Sequence, residues 1–340
     1  MTNKEVISAQ INHIETPKIA YTFSAEPEIE NKITQHYGSA DWQKKLKYYM
    51  SHCLSCDSTL RVQIDDTYAK DAFGSIWRTD RRPFHLEKPG IQEASFKNYK
   101  LPPASVFLDP IKRDLEAAAK LIERDKDQFY YISIGWGLFE HAWAMRGFEE
   151  VLIDMLEEPE FTTELIEGIG EYFLAMIKEC ADLKADAFFF GDDWGEQRGV
   201  IMGPERWRQF IKPVQKKLYD AAHAQNKFVL SHCCGNISEI YGDLIEIGLD
   251  VHESVQPEPA GMSPYILKEK WGDKMGFWGC LGSQSIIPFG KPDEIKQEIK
   301  KLCSIMGKGG GFILSPAKPL QTETPAENAI AIVEALIELS

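Results

Sequence analysis

The stretch Phe228-Val229-Leu230-Ser231-His232-Cys233-Cys234-Gly235-Asn236 decides how the rest of the chain is interpreted. A short apolar run ends in a small polar residue, an imidazole and two thiols, and a helix-like pattern at 237–247 follows directly. This order predicts a buried strand that delivers polar side chains into a short turn before a helix. In parallel α/β proteins, ligands bind at this carboxyl end of the strands. We therefore expect further polar groups of a site to follow the neighbouring strands.

The same unit of a strand followed by a helix recurs along the chain. The segments predicted as strands are 18–23, 60–64, 130–134, 187–190, 227–231, 249–255, 275–278 and 311–314, and 41–53 is predicted as helical. Eight alternating units predict an α/β fold of the (β/α)8 TIM-barrel class, in one domain over 1–340. The segment 66–128 is predicted as an insertion of short β pieces before the third strand. An open doubly wound sheet is the alternative, and neither G-x-G-x-x-G nor G-x-x-x-x-G-K-[ST] occurs to support it.

Composition excludes several classes of function. The chain has 340 residues, of which 44% are hydrophobic and 26% charged, and its net charge is −14. No basic stripe is present, which argues against nucleic acid as a partner. No run of about 18 apolar residues is present, so no membrane span is expected. The polar segment 1–18 lacks a secretory signal, and an odd number of cysteines, seven, fits a reducing compartment, so we expect a cytoplasmic protein.

Two adjacent carboxylates, Asp192 and Asp193, follow the apolar run 187–190 directly. At the end of a barrel strand such a pair can bind a cation, orient a substrate or donate a proton if burial raises one pKa. We predict both as catalytic residues, and Asp192 is expected to point inward. The structural alternative for one of the pair is a helix cap with a salt bridge to Arg198. The polar and aromatic residues predicted to bind substrate are Trp136, His141, Trp194, Arg198, Gln256, Lys318 and Gln321.

His232 and Cys234 form an H-x-C pair in the turn after the fifth predicted strand. Imidazole and thiolate are good zinc ligands, and two of them in one turn can anchor a site that other residues complete. We predict a metal site here, with Glu253 or Cys280 as the third ligand because both follow neighbouring strands. A buried thiol and a hydrogen-bonded histidine without metal remain the alternative.

Three segments of the chain resemble the uroporphyrinogen decarboxylase superfamily. They are 190–195 (FGDDWG), 231–236 (SHCCGN) and 310–316 (GGFILSP). The resemblance extends over nearly the whole chain and implies a (β/α)8 barrel. Porphyrinogen decarboxylases and methyltransferases that work with corrinoid proteins both belong to this superfamily. Asp192 falls where the decarboxylases keep a catalytic Asp, but the segment 19–27, which matches their arginine-rich substrate signature, has no Arg. Because a substrate with eight carboxylates needs several cations, true uroporphyrinogen decarboxylation is disfavoured.

The resemblance favours the methyltransferase branch. His232 and Cys234 match the His-x-Cys zinc motif of the corrinoid methyltransferases that activate thiols, and Lys318 stands where those enzymes have a later Cys. The implied activity is transfer of a methyl group from a small methylated compound, such as a methoxylated aromatic, to the cobalamin of a partner corrinoid protein, with zinc as the metal. A decarboxylase of uroporphyrinogen or another polycarboxylate is the alternative enzyme. A binding barrel without catalysis is the third possibility.

Overall fold

The computed structural model describes residues 1–57 and 59–339. Within them the strands are, in chain order, β1 (Ala20–Tyr21), β2 (Met50–Ser55), β3 (Arg61–Gln63), β4 (Tyr68–Asp71), β5 (Ile76–Arg78), β6 (His85–Lys88), β7 (Phe129–Gly135), β8 (Ala187–Gly191), β9 (Phe228–His232), β10 (Val251–Val255), β11 (Gly276–Leu281) and β12 (Phe312–Pro316). Eight of them form one curled parallel sheet in the order β1-β12-β11-β10-β9-β8-β7-β2. The α/β barrel class predicted from the sequence is therefore confirmed.

Helices pack around this sheet. They are α1 (Asn3–Ile11), α2 (Pro27–Tyr37), α3 (Ser105–Arg124), α4 (Leu138–Arg146), α5 (Phe148–Glu157), α6 (Pro159–Glu179), α7 (Pro204–Arg206), α8 (Lys212–His223), α9 (Tyr241–Glu246), α10 (Pro264–Trp271), α11 (Ile286–Phe289), α12 (Pro292–Met306) and α13 (Ala326–Leu339). A π-helical segment, Trp207–Ile211, joins α7 to α8, and 3₁₀ turns lie at Ala40–Lys45 and Ser238–Ile240. Among the described residues, no helix is both long and apolar enough to cross a bilayer.

The end strands β1 and β2 approach each other through side chains. The ring of Tyr21 packs edge-on against the ring of Tyr49, with 5.5 Å between centroids. The hydroxyl oxygen of Tyr21 also accepts a hydrogen bond of 2.7 Å from the backbone N–H of Lys47. Both tyrosines are almost fully buried, so this contact links the start of the sheet to its end.

The second strand of the large sheet differs from the prediction. It is β2, Met50–Ser55, which pairs in parallel with β7 and overlaps the segment 41–53 that was predicted as helical. The predicted strand 60–64 contains β3, which instead pairs antiparallel with β4 in a separate sheet of the order β3-β4-β5-β6. The alternation at 60–64 predicts a strand but does not show which sheet the strand joins. In the structure, Val62 of this strand is 75% exposed. The sequence of β2, MSHCLS, does not show a clear strand pattern, because polar residues separate its buried residues.

Register within the parallel sheet brings four strand-end residues into one row. Gly191 of β8 lies opposite His232 of β9, His232 lies opposite Glu253 of β10, and Glu253 lies opposite Trp278 of β11. Registered residues of parallel strands project to the same face, so their side chains are neighbours. This row therefore places an imidazole, a carboxylate and an indole side by side, with His232 at the end of its strand.

The turn between β7 and α4 lies directly on the end of β8. A Cβ atom added at Gly137 would lie 2.3 Å from the Cβ of Asp192 and 2.3 Å from the carbonyl oxygen of Gly191. Glycine is therefore required at this position for a steric reason, since its φ of −95° is open to any residue. The close approach brings the first turn of α4 against Asp192.

We expect Gly137→Ala to destabilise the fold by about 1–3 kcal/mol, because the new methyl group has to push α4 away from β8. Urea unfolding of the purified variant measures this difference. Gly242→Ala is the matched control, because its Cβ would meet only the Trp271 ring at 3.7 Å and alanine favours the helix there. Equal stability of Gly137→Ala and wild type would contradict the packing described here.

Candidate active site and metal centre

Asp192 holds the first turn of α4 in place. Its carboxylate accepts hydrogen bonds from the backbone N–H groups of Phe139 (2.9 Å) and Glu140 (3.0 Å) and from the indole N–H of Trp194 (2.7 Å). The side chain is buried, with 2% of the residue exposed. Burial raises the pKa of Asp192, while the three N–H donors act in the opposite direction. Asp192 thus caps the first turn of α4, but among the described residues it forms no ion pair with Arg198, and its catalytic role stays a prediction.

Asp193 belongs to a different environment from its neighbour. Its Oδ1 lies 3.4 Å from Nε2 of His232 and 3.3 Å from Sγ of Cys234, and it accepts a hydrogen bond of 3.2 Å from the backbone N–H of Cys234. One ligand atom from each of the three residues lies within 4.8 Å of the other two. The side chains of Asp193 and His232 are 44% and 31% exposed. We call these three residues the Asp193 cluster; it is open to solvent on one side.

Glu253 fixes the orientation of the imidazole. Its Oε2 lies 2.5 Å from Nδ1 of His232, so the other ring nitrogen, Nε2, is left facing Asp193. Although burial lowers the pKa of His232, the negative charge of Glu253 and the contact with Asp193 raise it well above its usual value. For Asp193 the effects are reversed: burial raises its pKa, but His232 and the donors of Cys234 lower the pKa to about 2. The carboxylates on either side of the ring thus favour the protonated form of His232 when no metal is bound.

The donor set of the Asp193 cluster fits a zinc ion. One nitrogen, one sulfur and one oxygen converge, and catalytic zinc sites have three protein ligands and an open fourth position. A carboxylate on the second nitrogen of a ligating histidine is the usual support of such a site. The third donor in the structure is Asp193, whereas the sequence predicted Glu253 or Cys280. Register explains the difference, because Glu253 sits beside His232 on the next strand and reaches Nδ1.

Cys280 lies elsewhere. Its thiol is buried, with 2% of the residue exposed, and burial raises its pKa. The group of residues whose ligand atoms converge includes Asp193, His232 and Cys234 but not Cys280.

Glu140 is a site residue that the sequence analysis missed. It sits in the first turn of α4, where its Oε2 accepts a hydrogen bond of 3.3 Å from the backbone N–H of Gly137. Burial and the charges of Asp192 and Asp193 raise the pKa of Glu140 well above its usual range. The carboxyl group therefore keeps a proton to higher pH than an exposed glutamate does. The available signal was that Glu140 lies three residues after Gly137, the residue before the helix, which is the spacing of a capping box.

Aromatic side chains inside the strands were also missed. The rings of Tyr131, Phe189 and Trp278 contact one another, with centroid distances of 5.6 Å, 5.6 Å and 6.5 Å. Trp278 is in register with Glu253, and the charge of Glu253 helps to raise the pKa of Tyr131 after burial. This aromatic wall thus adjoins the residues that hold His232. The available signal was the sequence of β7, FYYISIG, in which the two-residue period of a strand puts Tyr131 on the face opposite to Ile132 and Ile134.

Three of the residues that were predicted to bind substrate are buried and contact other groups of the protein. Trp194 binds Asp192 through its indole N–H. His141 is 2% exposed and packs in an aromatic cluster, and burial lowers its pKa to about 3. Gln256 accepts a hydrogen bond of 3.1 Å from the backbone N–H of Gly235, which secures the turn after Cys234. The Nε2 of Gln256 is buried and has no partner among the described residues.

The other predicted substrate-binding residues lie around the same end of the sheet. Arg198 is on an exposed turn, and its backbone N–H donates to Glu196. Lys318 and Gln321 line a small recess after β12. Trp136 follows β7 and lines a separate pocket together with Arg61. None of these four side chains has a hydrogen bond or ion pair with the Asp193 cluster within the part of the chain described.

Comparison with known proteins identifies relatives of two kinds. The family model described as "Uroporphyrinogen decarboxylase (URO-D)" matches residues 73–339. The "Methylcobamide:CoM methyltransferase MtaA" of Methanosarcina barkeri is 29% identical over 138 residues, 40% of this chain and 37% of the relative. The "Uroporphyrinogen decarboxylase" of Carboxydothermus hydrogenoformans is 26% identical over 188 residues, 55% of this chain and 50% of the relative. The matched part thus spans half or less of each of these relatives.

A solved structure supports the fold over the whole chain. The structure of a "methyltransferase from Methanosarcina mazei" superposes with a TM-score of 0.70 and covers 99% of both chains at 18% identity. At this level of identity the likeness concerns the fold. The sequence matches add that the relatives with described activities are enzymes, namely methyltransferases and decarboxylases.

The two adjacent aspartates are expected to respond differently to the same substitution. Asp192→Asn places an amide NH₂ against N–H donors, which leaves a buried donor without a partner and destabilises the fold by about 1–3 kcal/mol. Asp193→Asn is expected to change the free energy of unfolding by less than about 1 kcal/mol, because its side chain is largely open to water. Urea unfolding in the presence of a chelator measures both. Equal losses would contradict the separate roles.

We expect the protein to bind one zinc ion at the Asp193 cluster. Glu253→Gln removes the charge that supports His232 and is expected to lower zinc affinity about 10- to 100-fold, and Cys234→Ala at least as much. Competition with a chromophoric chelator measures the affinity, and elemental analysis measures the stoichiometry. Cys303→Ser is the control, since this free thiol lies on α12. The assignment fails if Cys234→Ala and Cys303→Ser bind zinc equally.

Proposed function

The chain belongs to the uroporphyrinogen decarboxylase (URO-D) family, and on that premise we propose that it is a methyltransferase. It would move a methyl group from a small methylated compound, such as a methoxylated aromatic, to the cobalamin of a partner corrinoid protein. The observation that carries the proposal is the open cluster of Asp193, His232 and Cys234, with Glu253 behind the imidazole. One relative is by name a methylcobamide:CoM methyltransferase, which supports methyl transfer involving a corrinoid.

Methyl transfer from an ether requires the departing oxygen to become a better leaving group. Zinc bound at the Asp193 cluster would supply a Lewis acid for that oxygen. Glu253 would keep Nε2 of His232 aimed at the metal, and the exposed side of Asp193 would leave room for the donor. Glu140, whose pKa is raised by burial and by the two aspartates, would give its proton to the leaving oxygen as the methyl group departs.

Decarboxylation of a polycarboxylate is the second candidate, because decarboxylases occur among the relatives. Two observations weigh against it. The carboxylate of Asp192, which falls at the decarboxylases' catalytic position, is occupied by three N–H donors and is buried. Asp193 and Glu253 place two carboxylates against His232, and such a centre repels a substrate with many carboxylates.

We expect the zinc-loaded protein to form methylcobalamin from cob(I)alamin, free or on a corrinoid protein, when it receives a methoxylated aromatic. Absorbance spectroscopy measures the formation of methylcobalamin. Glu140→Gln keeps the capping geometry but cannot give up a proton, so kcat is expected to fall about 10²- to 10⁴-fold while zinc stays bound. Lys300→Gln, an exposed change on α12, is the control.

Failure of transfer with a broad panel of methylated donors would overturn the proposal. Release of CO₂ from uroporphyrinogen, with no methyl transfer, would favour the decarboxylase instead. A fall in the activity of Glu140→Gln that is matched by loss of zinc would assign Glu140 to the metal site rather than to proton transfer.

A further inference from the structure

A second pocket lies between the antiparallel sheet and the turn that joins β7 to α4. It has a volume of about 280 Å³ and is lined by two arginines, a proline and four aromatic residues: Arg61, Trp77, Arg82, Pro83, Phe84, Trp136 and Trp143. The three indole rings contact one another, with centroid distances of 5.7 Å, 5.9 Å and 5.4 Å. We call this site the Arg61 pocket. Its walls are rigid and flat, which suits a planar ligand.

The guanidinium of Arg61 is held between these rings. Its central carbon lies 4.5 Å from the centroid of Trp77 and 5.5 Å from that of Trp136. Its Nε is buried and has no hydrogen-bond partner among the described residues. Burial also lowers the pKa of Arg61, while the charges of Asp71 and Asp57 partly compensate. The Arg61 side chain has no hydrogen bond or ion pair among the described residues, so a ligand in the pocket can supply an acceptor for the part of its guanidinium that lines the pocket.

A second cation borders the same space. The guanidinium of Arg82 lies 5.2 Å from the ring centroid of Phe84, and that of Arg61 lies 5.7 Å from the same ring. Two arginines facing one small pocket stand out in a chain whose net charge is −14. The fork of a guanidinium matches the two oxygens of a carboxylate, and it keeps this match when an aromatic ring stacks on its face.

We propose that the Arg61 pocket binds a small aromatic carboxylate. The carboxylate would accept from Arg61 and Arg82, and the ring would pack on the indoles of Trp77, Trp136 and Trp143. The pocket volume is near the lower end of the range for small-molecule sites, about 300 Å³, which limits the ligand to one ring. A cationic ligand is excluded by the two arginines. A neutral aromatic would fill the space but give the guanidinium of Arg61 no acceptor.

The position of the pocket connects it with the proposed reaction. Trp136 stands next to Gly137, which packs on Asp192, and the same turn leads to Glu140 in α4. A ligand on Trp136 therefore lies beside the turn that carries the proposed proton donor. If the methyl donor is a methoxylated aromatic, it belongs to the methoxybenzoates; this step alone rests on the proposed function.

Binding can be tested without methyl transfer, because benzoate has no methyl group to transfer. We expect benzoate and 4-methoxybenzoate to quench tryptophan fluorescence saturably, and anisole, which lacks the carboxylate, to bind about tenfold more weakly or worse. Arg61→Gln is expected to weaken benzoate binding about tenfold or more, and Arg61→Lys, which keeps the charge but loses the fork, to weaken it as well. Arg78→Gln is the matched control, since Arg78 is on β5 of the same sheet and pairs with Asp80.

The outcomes separate this inference from the proposed function. Equal affinity for benzoate and anisole, or unchanged benzoate binding in a folded Arg61→Gln or Arg61→Lys variant, would overturn the pocket assignment. Thermal unfolding of each variant establishes that it is folded. Selective benzoate binding without methyl transfer from 4-methoxybenzoate would uphold the pocket and overturn methoxybenzoate as the methyl donor.

Discussion

The buried carboxylate of Asp192 organises the end of the sheet where the site lies. It accepts two backbone N–H groups from the first turn of α4 and one indole N–H from Trp194. The first N–H groups of a helix have no partners within the helix, so a carboxylate there satisfies them and interacts well with the helix dipole. This cap works across 50 residues of sequence only because glycine at Gly137 lets α4 approach β8. Every group that α4 contributes, Glu140 above all, is positioned by this contact.

Asp192 and Asp193 show how one strand end can serve two purposes. Adjacent side chains after a strand point in different directions, so one carboxylate turns into the protein and the other toward the open side. Burial and three donors make Asp192 a structural anchor. The neighbouring imidazole and the donors of Cys234 lower the pKa of Asp193 to about 2, so this carboxylate is the one that we expect to bind a metal. The chemistry of each residue follows from its surroundings and not from its type.

The sequence predicted those parts of the fold that local pattern encodes. The apolar runs at 187–190 and 227–231 became β8 and β9 with nearly the expected bounds, and the turn with His232 and Cys234 follows where the pattern placed it. The features that were not predicted depend on contacts between distant segments of the chain. β2 is buried by its pairing with β7, so its mixed composition gave no strand signal. Burial and the charges of Asp192 and Asp193, which are distant in the chain, raise the pKa of Glu140, and the capping-box spacing within its own helix does not indicate this.

The acidic and basic groups of this end of the molecule are kept apart, and this separation limits what the site can bind. Two carboxylates, those of Asp193 and Glu253, contact His232, whereas Arg61 and Arg82 lie in an aromatic pocket beside the turn after β7. A ligand with carboxylates at both ends would be favoured at one place and repelled at the other. A ligand with one carboxylate and an otherwise uncharged ring can bind the arginines without bringing a second anion toward Asp193 and Glu253. This distribution of charge is the reason why we propose an aromatic monocarboxylate, and not a polycarboxylate, as the ligand of the Arg61 pocket.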